Sequence, residues 1–392
     1  MKILKVTGGF PPAEKEGGTA VVGHALAKWL TQAGHDVKAF TTNINGDGWL
    51  DKKNEWDNID GVDVFYAEGT KKWARYRSPE MIAEIEKHII DCDIVLMAAV
   101  WVWYGPKVAE LCRTHNVPYV LYPHGVRSRD RMLLQSYYKK TAWWHIYDKN
   151  MFYNASGLVA ITEFEKTEMR DIGVKCPIKV IANGVDPIPF IDCPRDLLKK
   201  EYEVPIDAEV ILFLGRIETI KGVDLAIQSF QLVLEKRPDA FLILAGPDRS
   251  GLTYKLEQLA EKLGVRERIV FTGSVQGDLR SALYQSAHLL LLPSVTEVLA
   301  MSVLEALRSA IPVVVTDKDA FVDVAAYRAG FTCDRNKMAI SSSMLMLLND
   351  NELYKEMADN ALQLAKDKYT WSSIASQTAL FCEELIQAVQ VK

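Results

Sequence analysis

Strand-like apolar runs alternate with amphipathic helical stretches along almost the whole chain, and the alternation occurs in two series. The first series predicts strands at 3–7, 37–41, 62–67, 94–97, 119–122 and 157–161. The second series predicts strands at 210–214, 240–245, 269–271, 288–292 and 312–316. Because strand–helix alternation forms parallel sheets with helices on both faces, the pattern predicts an α/β fold with two doubly wound parallel-sheet domains.

Turn residues and prolines cluster at 183–189 and mark the boundary between the two series. A chain of 392 residues has room for two domains of ordinary size. The sequence therefore predicts a first domain at 1–185 and a second at 186–370. Thr370 suits the N-cap of one more helix at 371–392.

The composition argues against several other classes of protein. Hydrophobic residues at 49% and charged residues at 25% are typical of globular domains, and a net charge of −5 gives no case for nucleic-acid binding. The six cysteines show no C-x-x-C pair or zinc spacing, which favours free thiols in a reducing cytoplasm. Residues 1–8 lack a signal-peptide pattern, and the most apolar run, 94–104, is shorter than the ~20 residues that span a bilayer. We expect a cytoplasmic protein, soluble or at the inner face of the membrane.

Two acidic residues eight positions apart, Glu297 and Glu305, follow the apolar strand at 288–292. At the α-helical period, eight residues separate two side chains by roughly 80°, so one helix would not stack them. We therefore expect Glu297 in the loop and Glu305 in the helix that follows. Both carboxylates would lie near the carboxyl end of a parallel strand, where open sheets bind their ligands. Two carboxylates that reach different hydroxyls of one molecule are typical of sugar or ribose binding.

A second candidate site follows the buried strand at 210–214. Gly215 comes directly after this strand, and Arg216 and Lys221 lie in the connection to the next helix. Fixed cations beside a helix start favour the binding of a diphosphate, because they add to the unpaired N–H groups there. A solvated surface pair is the usual alternative for an Arg and a Lys.

Taken together, these motifs resemble the retaining glycosyltransferases of family 4. The resemblance runs nearly end to end, and it depends on the order and spacing of short motifs. These are Gly17-Gly18, His124-Gly125, Asn183-Gly184-Val185-Asp186, Gly215-Arg216 with Lys221-Gly222, Ala245-Gly246-Pro247, Phe271-Thr272-Gly273-Ser274-Val275, and the pair Glu297 and Glu305. The resemblance implies the GT-B fold, in which two Rossmann-like domains face a cleft and the C-terminal helix crosses back to the first domain. It also implies an acceptor domain at 1–185 and a donor domain at 186–370.

The implied activity is the retaining, metal-independent transfer of a sugar from a nucleotide-sugar to a hydroxyl of a glycan or lipid-linked glycan. A UDP-sugar is favoured over a GDP-sugar, and exopolysaccharide or cell-surface polysaccharide synthesis is the family's commonest setting. The implied partners are the donor, the acceptor and, by peripheral contact, the membrane; no cofactor and no metal are expected. The resemblance also implies a front-face mechanism, in which the leaving phosphate helps to deprotonate the acceptor.

The resemblance assigns roles to individual residues. Arg216 and Lys221 would neutralise the donor diphosphate. Glu305 would accept hydrogen bonds from the ribose hydroxyls, and Glu297 would lie near the transferred sugar. His124 would face that sugar from the N-terminal domain. The implied catalytic residues are therefore Glu297, His124, Arg216 and Lys221.

Further donor contacts follow from the same resemblance. The glycine loop after the first strand would bring backbone amides to the diphosphate or the acceptor. The other contacts lie in the second domain, at one side chain of the Phe271–Val275 motif and at the amides that follow Glu297. These residues are Gly17, Gly18, Val275, Leu299, Ala300 and Met301.

The sequence departs from the family pattern directly after Glu297. The family has Gly, an apolar residue and Gly where this chain has Val298, Leu299 and Ala300. Glycine lets backbone amides approach a phosphate and permits positive φ, whereas a β-branched Val disfavours the left-handed region. The departure motivates a second hypothesis, a nucleotide-sugar-binding protein with weak or lost transferase activity. In that case a Val298→Gly/Ala300→Gly variant would gain activity.

Residues 127–149 mix cations with aromatic residues, and Arg127 and Arg129 are candidate acceptor contacts. Such a mixture is typical of stacking on sugar rings or of the interface with an anionic membrane. An amphipathic helix with a solvated basic face explains it equally well.

Two further classes of site are disfavoured. D-x-D occurs at 91–93 and 317–319 and resembles the metal site of other sugar transferases, but neither copy lies among the diphosphate residues. A dinucleotide dehydrogenase is disfavoured because the loop at 7–19 lacks G-x-G-x-x-G.

Overall fold

The computed structural model describes residues 1–13, 16–70, 76–125, 137–316 and 320–390. The chain divides into two compact units. The first comprises residues 1–184 together with the chain from Trp371 onward, and the second comprises residues 185–370. Each unit is built on its own sheet of mostly parallel strands.

The first unit contains an eight-stranded sheet in the order β10-β9-β8-β7-β1-β2-β6-β5. Neighbouring strands are parallel except for β5 and β6. The order reverses at β1, which lies between β2 and β7. The strands are β1 (Lys2–Val6), β2 (Asp36–Thr42), β5 (Glu55–Ile59), β6 (Val62–Ala67), β7 (Ile94–Met97), β8 (Tyr119–Leu121), β9 (Gly157–Ala160) and β10 (Ile178–Val180), with a separate hairpin of β3 (Ile44–Asn45) and β4 (Gly48–Trp49).

Four of these strands were missed by the sequence pattern, and the sheet is not entirely parallel. β5 has the sequence EWDNI and pairs antiparallel with β6 at the edge of the sheet. A search for apolar runs overlooks it because its residues are polar and partly exposed, as edge strands often are. β10 has three residues and is only partly buried, and β3 and β4 have two residues each.

Helices cover both faces of the first sheet. They are α1 (Gly18–Gln32), α2 (Pro79–Ile89), α3 (Tyr104–Thr114), α4 (Tyr137–Trp143), α5 (Lys149–Tyr153) and α6 (Glu163–Asp171), with a π-helical turn at Trp144–Asp148. The C-terminal helix, Trp371–Gln390, packs on α1. A Cβ at Gly157 would crowd Phe381 and Leu385 of that helix, so the glycine allows it to lie close to β9. The predicted return of the C-terminal helix to the first domain is confirmed.

The second unit contains a six-stranded sheet in the order β13-β12-β11-β14-β15-β16, with every neighbouring pair parallel. All residues of β12 are buried, as expected for a parallel strand covered on both faces. The order reverses between β11 and β14, and such a switch point is where open α/β sheets bind ligands. The strands are β11 (Glu209–Leu214), β12 (Ala240–Ala245), β13 (Ile269–Gly273), β14 (Ala287–Leu292), β15 (Val313–Val315) and β16 (Gly330–Thr332), of which the sequence pattern missed β16.

Helices also cover both faces of the second sheet, so the prediction of two doubly wound α/β units is confirmed. None of the described helices is both long and apolar enough to cross a membrane. The helices are α7 (Pro194–Tyr202), α8 (Val223–Leu234), α9 (Thr253–Lys262), α10 (Gly277–Ser286), α11 (Met301–Arg308), α12 (Val322–Tyr327), α13 (Lys337–Asn349) and α14 (Asn351–Lys368), with 3-10 turns at Thr219–Lys221 and Arg266–Arg268.

Candidate active site

Two loops of the second unit meet at the switch point of its sheet. One follows β11 and the other follows β14. The amide of Val295 donates a hydrogen bond to the carbonyl of Ile220 at 2.8 Å. Gly222 has a φ of +67°, and a Cβ there would overlap the carbonyl oxygen of Pro293. Only glycine combines this conformation with so close an approach, and the two loops are therefore held side by side.

The ammonium of Lys221 contacts the carboxylate of Glu297 at this junction. Nζ lies 2.5 Å from Oε1, and the two side chains are 14% and 4% exposed. Ser294 Oγ donates to the same carboxylate oxygen at 2.7 Å, and Thr316 Oγ1 donates to the carbonyl of Ser294 at 2.7 Å. The structure thus brings together two predicted site residues from distant parts of the chain and fixes the orientation of Glu297.

Arg216 lies on the same loop as Lys221 but has a different partner. Its Nη1 lies 2.7 Å from Glu218 Oε1, and its side chain is 55% exposed. The other oxygen, Glu218 Oε2, is buried and has no hydrogen-bond partner in the part of the chain that the structure describes. Exposed ion pairs contribute little to stability, so the guanidinium can exchange Glu218 for an anionic ligand at small cost.

Glu305 lies in α11, as the sequence predicts, and is only 6% exposed. Two residues of α10 hold its oxygens. Arg280 Nη2 contacts Oε1, and the hydroxyl of Tyr284 donates to Oε2 at 2.5 Å. Neither partner could be predicted from the sequence. Their four-residue spacing places them on one face of a helix. No local signal indicates that they contact Glu305, which lies 25 positions after Arg280 and 21 after Tyr284.

The loop between Glu297 and α11 has an ordinary backbone conformation. None of Val298, Leu299 and Ala300 has a positive φ, so the left-handed conformation that glycine would permit is not used here. Ala300 occupies the N-cap with a φ of −72°, and no side chain caps α11. No side chain therefore accepts the amides of Met301 and Ser302 at the cap, whereas the amide of Val303 donates to the carbonyl of Ala300 at 3.1 Å.

Val275 lies between β13 and α10 and is partly buried. Its loop is one of three that pack backbone against backbone at the carboxyl edge of the sheet. The amide of Gly246 donates to the carbonyl of Gly273 at 2.8 Å, and a Cβ at Gly246 would overlap the carbonyl of Gly215. Val275 therefore lies at the same edge of the sheet as the loop that carries Arg216.

In the first unit, Gly17 and Gly18 begin α1, the helix that follows β1. Both glycines are exposed, and Gly17 has a φ of +80° with open space where a Cβ would stand. The backbone is thus accessible at the carboxyl end of β1, one of the two strands at the switch point of this sheet.

His124 follows β8, the strand beside β7 in the first sheet. Burial, together with the charge of Lys5, lowers the pKa of His124 to about 3, so its imidazole is neutral near pH 7. The residue has a φ of +51°. The carboxylate of Glu165 fixes the surrounding loop, because it accepts hydrogen bonds from the amides of Gly125 and Ile161, the latter at 2.7 Å.

The candidate acceptor contacts Arg127 and Arg129 lie outside the described residues, as does the D-x-D sequence at 317–319. In the described part of the basic and aromatic segment, Trp144 is buried, whereas Ile146 and Tyr147 are 68% and 46% exposed. Within the described ranges, no three His, Cys, Asp or Glu side chains are grouped so that they could hold a metal ion.

Comparisons with known proteins give the family. A family model described as "Glycosyltransferase Family 4" matches residues 16–188, and one described as "Glycosyl transferases group 1" matches residues 194–364. The chain is 28% identical over 393 residues to an uncharacterized glycosyltransferase of Methanocaldococcus jannaschii, with 96% of this chain and 97% of that protein covered. It is also 28% identical over 289 residues to the D-inositol 3-phosphate glycosyltransferase of Corynebacterium urealyticum, with 70% and 68% covered.

The fold agrees with this assignment. The solved structure of Anabaena HepE in complex with UDP and glucose matches with a TM-score of 0.76 at 18% identity, covering 98% of this chain and 100% of that one. Two doubly wound α/β units with a returning C-terminal helix, together with the two sequence families, define a glycosyltransferase of the GT-B class. The chain belongs to the family 4 glycosyltransferases.

Proposed function

We propose that this glycosyltransferase moves a sugar from a nucleotide-sugar to a hydroxyl of a glycan or lipid-linked glycan, with retention of configuration and without a metal ion. The observation that carries the proposal is the contact between Lys221 and Glu297 at the switch point of the second sheet. A fixed cation beside a fixed carboxylate matches the two reacting parts of such a donor, its anionic diphosphate and its hydroxylated sugar.

The diphosphate is the group that gains charge as the glycosidic bond breaks. Arg216 and Lys221 lie in the connection after β11, and the amide of Met301 begins α11 after the loop that follows β14, at the same edge of the sheet. Cations placed there stabilise the departing diphosphate more in the transition state than in the bound donor. The same cations supply the charge neutralisation that a divalent metal supplies in other sugar transferases, and for that reason we propose a metal-independent reaction.

Retention follows, in this proposal, from attack on the face that the diphosphate leaves. The bond between the anomeric carbon and the phosphate oxygen breaks, and the acceptor oxygen bonds to the same face of that carbon. The acceptor's proton passes to the departing phosphate oxygen, so atoms and charge balance. Glu297 has both Lys221 and Ser294 on Oε1, which suits it to orienting sugar hydroxyls rather than to attacking the anomeric carbon.

The nucleoside is assigned to the neighbouring part of the same sheet edge. Glu305 would accept hydrogen bonds from the ribose hydroxyls, and the base would lie near Val275. The carboxylate of Glu305 is buried and held in one orientation, which supports this assignment. These properties are typical of a specific hydrogen-bond acceptor and not of a solvated surface charge. UDP-sugars are the donors to test first, because HepE was solved with UDP and glucose.

The acceptor is proposed to be a polysaccharide or a lipid-linked glycan at the inner face of the membrane. Exposed Ile146 and Tyr147, in the same segment as Lys139 and Lys149, supply the apolar and cationic groups that peripheral membrane contact requires. The name of the Corynebacterium relative adds a second acceptor class, a phosphorylated polyol, which an acceptor screen should include.

A thermal-unfolding panel tests the donor site. The protein is heated with UDP, GDP, ADP and their common sugar conjugates, each with and without EDTA. A ligand at 100 times its Kd stabilises a protein by about 2.7 kcal/mol, which raises Tm measurably. We expect stabilisation by one nucleotide family, unchanged by EDTA. The absence of any shift would overturn the nucleotide-sugar assignment, and a shift that EDTA abolishes would overturn metal independence.

A further inference from the structure

We infer that Arg280 and Tyr284 are positioning residues that hold Glu305 for the donor's ribose and thereby set a preference for ribonucleotides over 2′-deoxyribonucleotides. The inference rests on the proposed function, because it assigns the nucleotide to this part of the sheet. Both residues would act through Glu305 and would not touch the reacting atoms.

The two residues reach Glu305 from one face of α10. They are four positions apart, so their side chains project from the same side of that helix toward α11. Arg280 Nη2 contacts Oε1, and the hydroxyl of Tyr284 donates to Oε2 at 2.5 Å. Because each oxygen has its own partner, the carboxylate cannot rotate without breaking one of these contacts.

A carboxylate held in this way keeps capacity to accept hydrogen bonds. Its two oxygens offer about four lone-pair positions, of which Arg280 and Tyr284 use two. One position on each oxygen therefore remains for a further donor. The two neighbouring hydroxyls of a ribose are a matching pair of donors, whereas 2′-deoxyribose has only one of them.

The protonation of both partners supports the arrangement. Burial and the negative charge of Glu305 raise the pKa of Tyr284 well above its usual value, so its hydroxyl remains a donor at ordinary pH. Although burial lowers the pKa of Arg280, the charge of Glu305 raises it overall, so the guanidinium remains charged.

Arg280 also makes Glu305 compatible with an anionic ligand. A buried carboxylate without a partner is costly, and its charge would repel a diphosphate. The pair of Arg280 and Glu305 is neutral overall. Loss of Arg280 should therefore weaken nucleotide binding through both charge and orientation, whereas loss of the Tyr284 hydroxyl should act through orientation alone.

The test compares the affinities of UDP and 2′-deoxy-UDP by calorimetry, using the full chain. The variants are Tyr284→Phe, Arg280→Met and Arg280→Lys, and thermal unfolding verifies that each one folds. The matched control is Arg266→Met. This substitution removes another ion pair of the same unit, in which Arg266 Nη2 lies 2.8 Å from Glu257 Oε1. Arg266 lies directly before β13, so the pair is near the amino end of that strand, at the edge of the sheet opposite to Glu305. If UDP does not bind, GDP and ADP with their 2′-deoxy analogues replace it.

We expect the wild type to bind the ribonucleotide about tenfold more tightly than its deoxy analogue, which corresponds to about 1.4 kcal/mol. This ratio should fall to about twofold in Tyr284→Phe and Arg280→Met, take an intermediate value in Arg280→Lys, and stay near tenfold in Arg266→Met. A general loss of stability weakens both ligands alike and does not change the ratio. If Arg280→Met does not fold, Tyr284→Phe, which keeps the shape of the ring, decides the test.

Two results would overturn the inference while leaving nucleotide binding in place. One is a ratio of the two affinities in folded Tyr284→Phe that equals the wild-type ratio. The other is equal affinity of the wild type for the ribonucleotide and its 2′-deoxy analogue. If the wild type binds none of UDP, GDP and ADP, the proposed function itself fails, and the inference fails with it.

Discussion

Lys221 Nζ lies 2.5 Å from Glu297 Oε1, although the two residues are 76 positions apart in the chain. The contact joins the loop after β11 to the loop after β14, which the sheet places next to each other at its switch point. An ammonium group has three donors, so Lys221 can retain Glu297 and also bind a phosphate oxygen. The pair therefore links the group proposed to bind the diphosphate with the group proposed to orient the sugar.

Glu297→Gln should lower kcat by about 10²-fold and change the donor Kd by only a few-fold. The amide keeps the shape of the side chain but loses the charge that fixes it to Lys221, and misplaced reacting groups cost roughly this much in rate. Donor consumption gives kcat, and calorimetry gives Kd. Glu257→Gln, which alters an ion pair at the opposite edge of the sheet, should retain wild-type values. A Glu297→Gln enzyme with normal kcat would exclude the proposed role of Glu297.

Lys5→Met should raise the free energy of unfolding at pH 7. Lys5 is 2% exposed, its Nζ lies 4.4 Å from the centre of the Tyr122 ring, and no described carboxylate forms an ion pair with it. Burial lowers the pKa of Lys5 from 10.5 to about 8. The shift corresponds to about 3 kcal/mol for burying the charge, as an order of magnitude. Replacement by a large apolar side chain removes this cost.

The pH dependence of stability distinguishes this explanation from better packing by Met. Between about pH 8 and 10.5 the folded chain has lost the Lys5 proton while the unfolded chain still holds it. The wild type should therefore gain stability relative to Lys5→Met as pH rises through this window, and should lose that gain as pH falls to 8. Urea unfolding at several pH values measures the difference. Lys2→Met, an exposed change in the same strand, should show no such trend. A constant difference across the window would contradict the burial of a charged Lys5.

Val298→Gly/Ala300→Gly should lower stability by about 2 kcal/mol and should not increase turnover. The native backbone at these positions has no positive φ, so glycine gains nothing in the folded state and adds freedom to the unfolded chain. Val298 is 7% exposed, and its side chain would also be lost from the core. Urea unfolding and donor consumption measure the two effects. A clear gain in transfer would instead favour the hypothesis of a binding protein whose activity the substitutions in the family motif have suppressed.

Strands that are buried on both faces could be predicted closely from the sequence. β7 and β12 have the predicted bounds, because their apolar runs end where the strands end. β5 could not be found in this way, since an edge strand needs only backbone pairing and its residues EWDNI are polar. β16 has only three residues, too few for a period to be visible.

The candidate site divides in a similar way. Glu297 and Glu305 could be placed on a loop and a helix because both follow β14 directly in the chain. Their partners could not be predicted, because Lys221 and Arg280 reach them from other strands and helices through the order of the sheet. The absence of a positive φ at Val298 agrees with the expectation from its β-branched side chain.

The activity of Lys221→Met, measured beside Lys236→Met, tests the central claim most directly. Lys236 is an exposed lysine of the same unit and serves as the matched control. Consumption of the preferred nucleotide-sugar is followed in EDTA, and thermal unfolding verifies that both variants fold. We predict that Lys221→Met loses at least about 10²-fold in kcat/KM, the scale expected when a group that stabilises transition-state charge is removed, while Lys236→Met and the wild type remain active in EDTA. Near-normal turnover by folded Lys221→Met, or loss of wild-type activity in EDTA, would contradict the account.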